Sequence, residues 1–219
     1  MNVLFLRHSV GYEHSSLPDA EVALKELGIE HGWSVRTTHQ CEKITADSLD
    51  QLDVLAFATG GNIPLDTEQR SAILGFVRNG KGFVGLHSAT ASCYDWPEFA
   101  EMLGGWFNGH PWHQEVGVIV EDRDHPATAM LGDGFRVTDE VYTFKNWDRS
   151  KTNVLMRLDN ETVDLSKGNR DDEDYALGWY HEYGEGRVIY SALGHPDMLW
   201  RQSWFREHVA ACVEWVGKR

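Results

Sequence analysis

Three continuous apolar runs, each followed by turn residues, constrain this chain more than any other feature. They are "NVLFL" (2–6), "DVLAFATGG" (53–61) and "GFVGL" (82–86). Strands buried on both faces read as unbroken apolar runs, as central parallel strands do. Helical patterns lie between them. Pro18 opens one that runs to about Leu27, with Leu24 and Leu27 on one face and Gly28 as its stop. In "DTEQRSAILGFVRNG", Asp66 and Gln69 have capping-box spacing, Ile73, Phe76 and Val77 form the apolar face, and Gly80 ends the helix. "WSVRTTH" supplies a further strand. Strands alternating with helices predict a doubly wound parallel sheet.

After "WPEFAEMLGG" the pattern changes. "EVGVIVED", "GFRVTDEVYTF" and "TNVLMRL" alternate as strands, and "LGWYHEYGEGRVIYSAL" reads as an antiparallel hairpin turning at "GEG". Phe205, Val209, Val213 and Val216 share one face, which predicts a closing helix over 202–219. Residues 159–175 are highly charged and nearly free of large apolar groups, so a solvated, mobile loop is expected there. No repeat or linker divides the 219 residues, which are read as a single domain.

The net charge of −14 repels phosphate backbones, which argues against nucleic acid as a partner. "MNVLFLRHSV" has neither the basic start nor the apolar length of a signal peptide or membrane span. Cys41, Cys93 and Cys212 lack paired short spacings, so a reducing, cytoplasmic setting is expected. No Walker motif is present, and no GxGxxG follows a strand, so nucleotide cofactors gain no support.

Ligands of open parallel sheets bind beyond the carboxyl ends of the strands. Sequence position puts His14, Gly60, Gly61, His87 and Ser88 there, joined by His195 at the end of the last predicted strand. His87 stands where a strand-to-helix turn would present a nucleophile. Ser88 reads as a nucleophile with His87 or His195 as base, as a substrate contact, or as a cap on the next helix, and Cys93 as packing. His110 and His113 have ligand-like spacing without a third member, while His125 reads as structural. Glu140 and Tyr142 lie two apart, on one strand face, where a carboxylate and a phenol suit sugar hydroxyls or proton transfer. Trp96, Trp106, Trp112, Trp147 and Trp179 are candidates for core or for a sugar platform; Trp179 is taken as a substrate contact.

With these residues in view, the chain resembles the ThuA-like (trehalose utilisation) family of the class I glutamine amidotransferase-like superfamily. The carriers run nearly end to end: "GYEHSSLP", "GKGFVGLHSA", "WPEFAEMLGGWFNGHP", "DHPATAML", "DEVYTF" and "LGWYHEYGEGRVIYSALGH". The resemblance implies an α/β fold, a flavodoxin-like three-layer sandwich with a mostly parallel central sheet and additional antiparallel strands. Glutaminases of this superfamily carry a G-x-C-x-G elbow and a later His-Pro-Glu. Here the elbow is Gly85-Leu86-His87-Ser88-Ala89 and the later motif His195-Pro196-Asp197. With His87 on the nucleophile's position, a glutaminase thioester cannot form there, and glutamine amidotransfer would return only if traced to Cys93.

Two histidines facing across a pocket bind a divalent metal or act as an acid–base pair. His87 and His195, with His14 or His110 and Glu140, make a mixed N/O set suited to Zn²⁺, and Asp197 is expected to orient His195. The resemblance implies carbohydrate catabolism beside a partner sugar dehydrogenase that generates 3-keto sugars. The leading reading is an enzyme acting on a keto-sugar or disaccharide derivative. Its rival is a non-catalytic carbohydrate-binding or regulatory module. The apolar stretch "WFNGHPW" suggests a homodimer contact.

Overall fold

The computed structural model describes residues 1–218. β1 (Asn2–Leu6) leads through a long loop to α1 (Leu17–His31), then β2 (Ser34–Thr38), the short α2 (Ala46–Asp50) and β3 (Val54–Phe57). α3 (Thr67–Arg78), β4 (Gly82–Leu86) and α4 (Pro97–Leu103) follow. The second half holds β5 (Trp106–Phe107), β6 (Trp112–Val120), β7 (Gly134–Val141), β8 (Phe144–Lys145) and β9 (Asn153–Leu158). The hairpin of β10 (Ala176–Tyr183) and β11 (Gly186–Ser191) precedes the closing α5 (Ser203–Gly217). Of the helix expected over 202–219, Arg219 lies outside the described residues.

One nine-stranded sheet runs β2-β1-β3-β4-β11-β10-β9-β6-β7. The first five strands are mutually parallel; from β11 onward each neighbour is antiparallel. α1 and α5 pack together on one face, where α5 lies against β3, β4 and β11; α3 and α4 pack together on the other. β1, β3 and β4 are almost wholly buried, as their unbroken apolar runs require. Asp66 and Gln69 form the reciprocal capping box that opens α3.

Two local expectations are corrected. α1 passes Gly28 and ends only at Gly32, which takes the left-handed conformation at φ 71°. Gly28 serves close packing instead: a Cβ there would lie 2.6 Å from Val35 Cγ2. Residues 159–175 form a strap tied to β6. Asp159 and Asp164 each cap a short 3₁₀ turn, Thr162 Oγ1 accepts the Gly117 N–H at 2.9 Å, and the Trp112 indole donates to the Asp164 carbonyl at 3.0 Å. In "WFNGHPW", Trp112 is buried and Trp106 and Phe107 are half-buried.

The register of β6 positions the site. Only Val118–Val120 pair with β9, whereas Trp112–Ile119 pair with Val141–Gly134 of β7. Half of the β6–β7 pair therefore runs on past the sheet as an arm. It carries Glu140 over to the carboxyl ends of β4 and β11.

Candidate functional site

His87 follows β4 in the left-handed region at φ 39°, a conformation that costs a non-glycine residue energy and must be held by its surroundings. The Tyr190 hydroxyl donates to the His87 carbonyl at 2.6 Å, and His87 Nδ1–H donates to the Ala192 carbonyl at 2.7 Å. That second bond fixes the tautomer and leaves Nε2 with a free lone pair. His14 comes from the loop after β1 and His195 from the loop after β11. The ring centroids of His14 lie 4.8 Å from those of His87 and 5.3 Å from those of His195.

Glu140 closes the group. Its Oε2 stands 3.7 Å from His87 Nε2 and 3.2 Å from His195 Nδ1, and its Oε1 stands 3.2 Å from His110 Nδ1. His14, His87, Glu140 and His195 each offer a ligand atom within 4.8 Å of the others. His14 Nδ1, His87 Nε2 and His195 Nδ1 are sealed from solvent and have no hydrogen-bond partner. His195 Nδ1 stands 3.2 Å from Glu140 without the geometry of a hydrogen bond.

Burial, reinforced by the neighbouring imidazoles, pulls His87 down to about 3 and His14 down to about 4, so both are neutral near pH 7. The His14 Nε2–Tyr142 Oη pair is 3.2 Å apart; with Nε2–H donating, His14 Nδ1 also keeps a lone pair. Burial opposes ionisation of Glu140, yet His195 beside it, with His110 and His87, brings it down to about 2. Glu140 in turn raises His195. Two neutral imidazoles, a carboxylate and a third imidazole that gains from a nearby charge form a donor set for a divalent ion.

Asp139 holds this geometry, and it carries no signal in the sequence beyond its place in a strand. It is fully buried and accepts the backbone N–H groups of Glu140 (2.7 Å), Gly194 (2.8 Å) and His195 (3.1 Å). Burial raises its carboxyl to about 6 against those three donors. Asp197, expected to orient His195, instead accepts from Ser15 Oγ at 2.8 Å. The carboxylate that meets His195 is Glu140, 3.2 Å from its Nδ1.

A cavity of about 480 Å³ opens beside the cluster. Gly60, Gly61, His14, His110, Glu140 and Tyr142 line it, together with Tyr12, Tyr94 and Phe107, which sequence reasoning did not single out. Gly61 is required at φ 71°, because a Cβ there would run into the Val10 carbonyl. His110 is half exposed and stands outside the four converging donors, on the far oxygen of Glu140. His113 is exposed on β6 with its ring 4.9 Å from His195.

Ser88 is buried with an unpartnered hydroxyl and caps no helix. Trp179, expected at the substrate, is a core residue: fully buried, it donates to the Leu103 carbonyl at 2.8 Å and packs 4.5 Å from Tyr190. Cys93 is buried and its thiol is pushed up to about 12 by burial, so it offers no thiolate for glutaminase chemistry.

Among solved structures, the chain is similar to a ThuA-like protein from Bacteroides uniformis: TM-score 0.79, 23% identity, 97% of this chain and 90% of that one covered. A ThuA-like protein from Parabacteroides merdae gives TM-score 0.77 at 17% identity, covering 99% and 90%. PurLQS from Thermotoga maritima gives TM-score 0.57 at 16% identity, covering 96% and 98%. At these identities the likeness establishes the fold, which ThuA-like proteins share with amidotransferase-like ones. No curated protein matches the chain. No helix among the described residues is long and apolar enough to cross a membrane. The sequence model of the ThuA family, described as trehalose utilisation, matches residues 2–216, and on that match the chain belongs to the ThuA family.

Proposed function

We propose that this protein is an enzyme of carbohydrate catabolism that acts on a keto-sugar or disaccharide derivative at a divalent metal held by His14, His87, His195 and Glu140. The family's trehalose-utilisation description supports the carbohydrate side of this reading. The observation that carries the metal side is the set of three sealed, unpartnered imidazole nitrogens around an ionised carboxylate. Buried polar atoms without partners are rare, and each calls for an occupant or a role. A water molecule does not reach these nitrogens, but a bare cation is small enough to satisfy all three.

An ion held by these four side chains would supply Lewis acidity toward a substrate carbonyl. The chain's own residues do the rest. The Ala192 carbonyl fixes the tautomer of His87, and Tyr142 holds the His14 ring in place. Asp139 fixes the loop of His195 and the strand end of Glu140. His110, half exposed on the cavity side of Glu140, is placed to take a proton from a carbon next to the carbonyl and return it elsewhere. Isomerisation of a keto sugar, or elimination from it, needs no more than that. A partner sugar dehydrogenase would supply the keto group.

The test is elemental analysis of untagged protein purified without chelator, beside His87→Ala and His195→Ala, followed by turnover assays on a panel of 3-keto sugars. Near-stoichiometric metal in the wild type, lost in both variants together with turnover, is the expected result. Metal-free wild type with turnover intact would return the site to a His87–His195 acid–base pair. Unchanged cellular function in a folded His87→Ala protein would make the chain a carbohydrate-binding module.

A further inference from the structure

Exposed apolar side chains gather around one opening of this molecule. Of the seven large hydrophobic side chains left exposed among the described residues, three line the central cavity: Val10, Tyr12 and Tyr94. Single exposed apolar residues need no explanation, whereas a group of them around a cavity marks a binding surface. Tyr12 is 68% exposed and Tyr94 37%, against 7% for His14 and 8% for Glu140, so the aromatic part of the lining is the outer one. It begins where the donor cluster ends. Tyr12 meets His14 edge-on with ring centroids 4.9 Å apart, and Phe107 lies 5.7 Å from the His110 ring. No tryptophan lines this cavity, and no Lys or Arg does either.

The backbone holds the outer rings in place. The loops after β1, β3 and β4 are laced side by side. Val10 N–H donates to the Gly60 carbonyl at 2.7 Å, Gly61 N–H to the Ala91 carbonyl at 2.9 Å, and Cys93 N–H to the Gly61 carbonyl at 3.0 Å. Tyr94 N–H donates to Asn62 Oδ1 at 2.8 Å, and Lys145 Nζ sits 5.3 Å from the centroid of the Tyr94 ring. Gly60 and Gly61 thus bracket the two loops that carry Tyr12 and Tyr94, and a surface ordered in advance costs little to occupy.

We propose that Tyr12 and Tyr94 form an outer subsite for a second ring, sugar or aryl, joined to the sugar whose carbonyl reacts, so that the protein selects glycosides over free monosaccharides. The inference rests on the reading that the reacting sugar sits against His14, His87, His195 and Glu140. Rings of both kinds present C–H groups to an aromatic face. An anionic appendage such as a phosphate ester finds no Lys or Arg there and meets Glu140 instead.

The test is saturation-transfer NMR titration of protein purified without chelator, with methyl α-glucoside, phenyl α-glucoside and maltose as probes. At least one of the two-ring probes should bind about tenfold tighter than methyl α-glucoside, with the strongest transfer to its second ring. Tyr12→Ala and Tyr94→Ala should each remove most of that preference while leaving metal content and the affinity for methyl α-glucoside in place. Tyr94→Phe, which keeps the ring and drops the hydroxyl, should retain it. Equal affinity for all three probes, no binding of any of them, or a preference that survives both alanine variants overturns the proposal. A wild type that shows the preference but holds no metal by elemental analysis would overturn the metal reading and leave the subsite standing.

Discussion

Two groups of buried histidines sit on this fold, and they have opposite characters. Beneath α5, His208 is fully buried, with Nδ1–H donating to the Ala127 carbonyl at 2.7 Å and Nε2 accepting from Ser191 Oγ at 3.0 Å. His125 Nδ1 accepts the Ala127 N–H at 3.1 Å, and its ring stacks 4.3 Å from Tyr180. Ala127 thus ties both rings to one backbone residue. That group leaves one nitrogen, His125 Nε2, without a partner, whereas at the carboxyl ends of β4 and β11 three unpartnered nitrogens surround Glu140. Burial of imidazole is common to both groups. Convergence of free lone pairs on a charge belongs only to the second, and that difference separates a site from a structural pair.

The sharpest break of this comparison is removal of a converging ring. His87→Ala and His195→Ala should each lower bound metal from near one ion per chain to less than a tenth, measured by elemental analysis. His208→Ala should leave metal content where it was. Equal retention in all three proteins would dissolve the distinction.

Next in size is Asp139→Asn. The amide keeps one oxygen for the N–H groups of Glu140 and His195 but turns an NH₂ toward the Gly194 N–H, donor against donor. Groups that orient ligands typically change metal affinity by about 10–100-fold. A competition titration against a chromophoric chelator should show a loss in that range with the far-ultraviolet circular dichroism intact. Unchanged affinity would reduce Asp139 to a packing residue.

The parallel half of the fold was legible because its physics is local. "GFVGL" can only be a strand buried on both faces, and Asp66 with Gln69 closes a cap within four residues. His87 and His195 could be picked out for the same reason, since each follows a strand at the edge where open sheets bind ligands. Glu140 and Asp139 depend on something non-local: how far the β6–β7 arm overshoots β9. No spacing along β7 tells which of its carboxylates meets His195. Glu140 can be named from its place on β7, but Asp197, expected to orient His195, pairs with Ser15 instead, and the choice of Trp179 failed because composition does not distinguish a core indole from a platform. Gly28 misled in the other direction, since a glycine needed for close helix–strand contact looks in sequence like a stop.

On the structural side of the comparison, His208→Leu should cost stability without touching the site. It fills the space but strands the Ala127 carbonyl and the Ser191 hydroxyl, each a buried group whose lost partner costs about 1–3 kcal/mol. Urea denaturation should show a loss of about that size or somewhat more, with metal content unchanged. A loss below about 0.5 kcal/mol, the range of inert surface substitutions, would mean that the helix repacks freely there.

The smallest effect expected is in the acid limb of stability, and it isolates His125. Burial, with the charges of His208 and Arg187, pulls its imidazole down to about 4, and only Asp122 pulls the other way; Tyr180 and Trp215 cover the ring without charge. The unfolded chain takes up this proton near the ordinary value of about 6.5, while the folded chain refuses it until about 4. The unfolded state therefore binds more protons throughout that window, and stability must fall as pH drops from 6.5 toward 4. His125→Asn keeps an acceptor for the Ala127 N–H but cannot titrate. The melting temperature of this variant should decline less steeply than the wild type's across that window and run parallel to it above pH 7. Parallel curves over the whole range would show that His125 escapes to solvent before it is protonated, and that the acid sensitivity of the fold lies in the converging histidines instead.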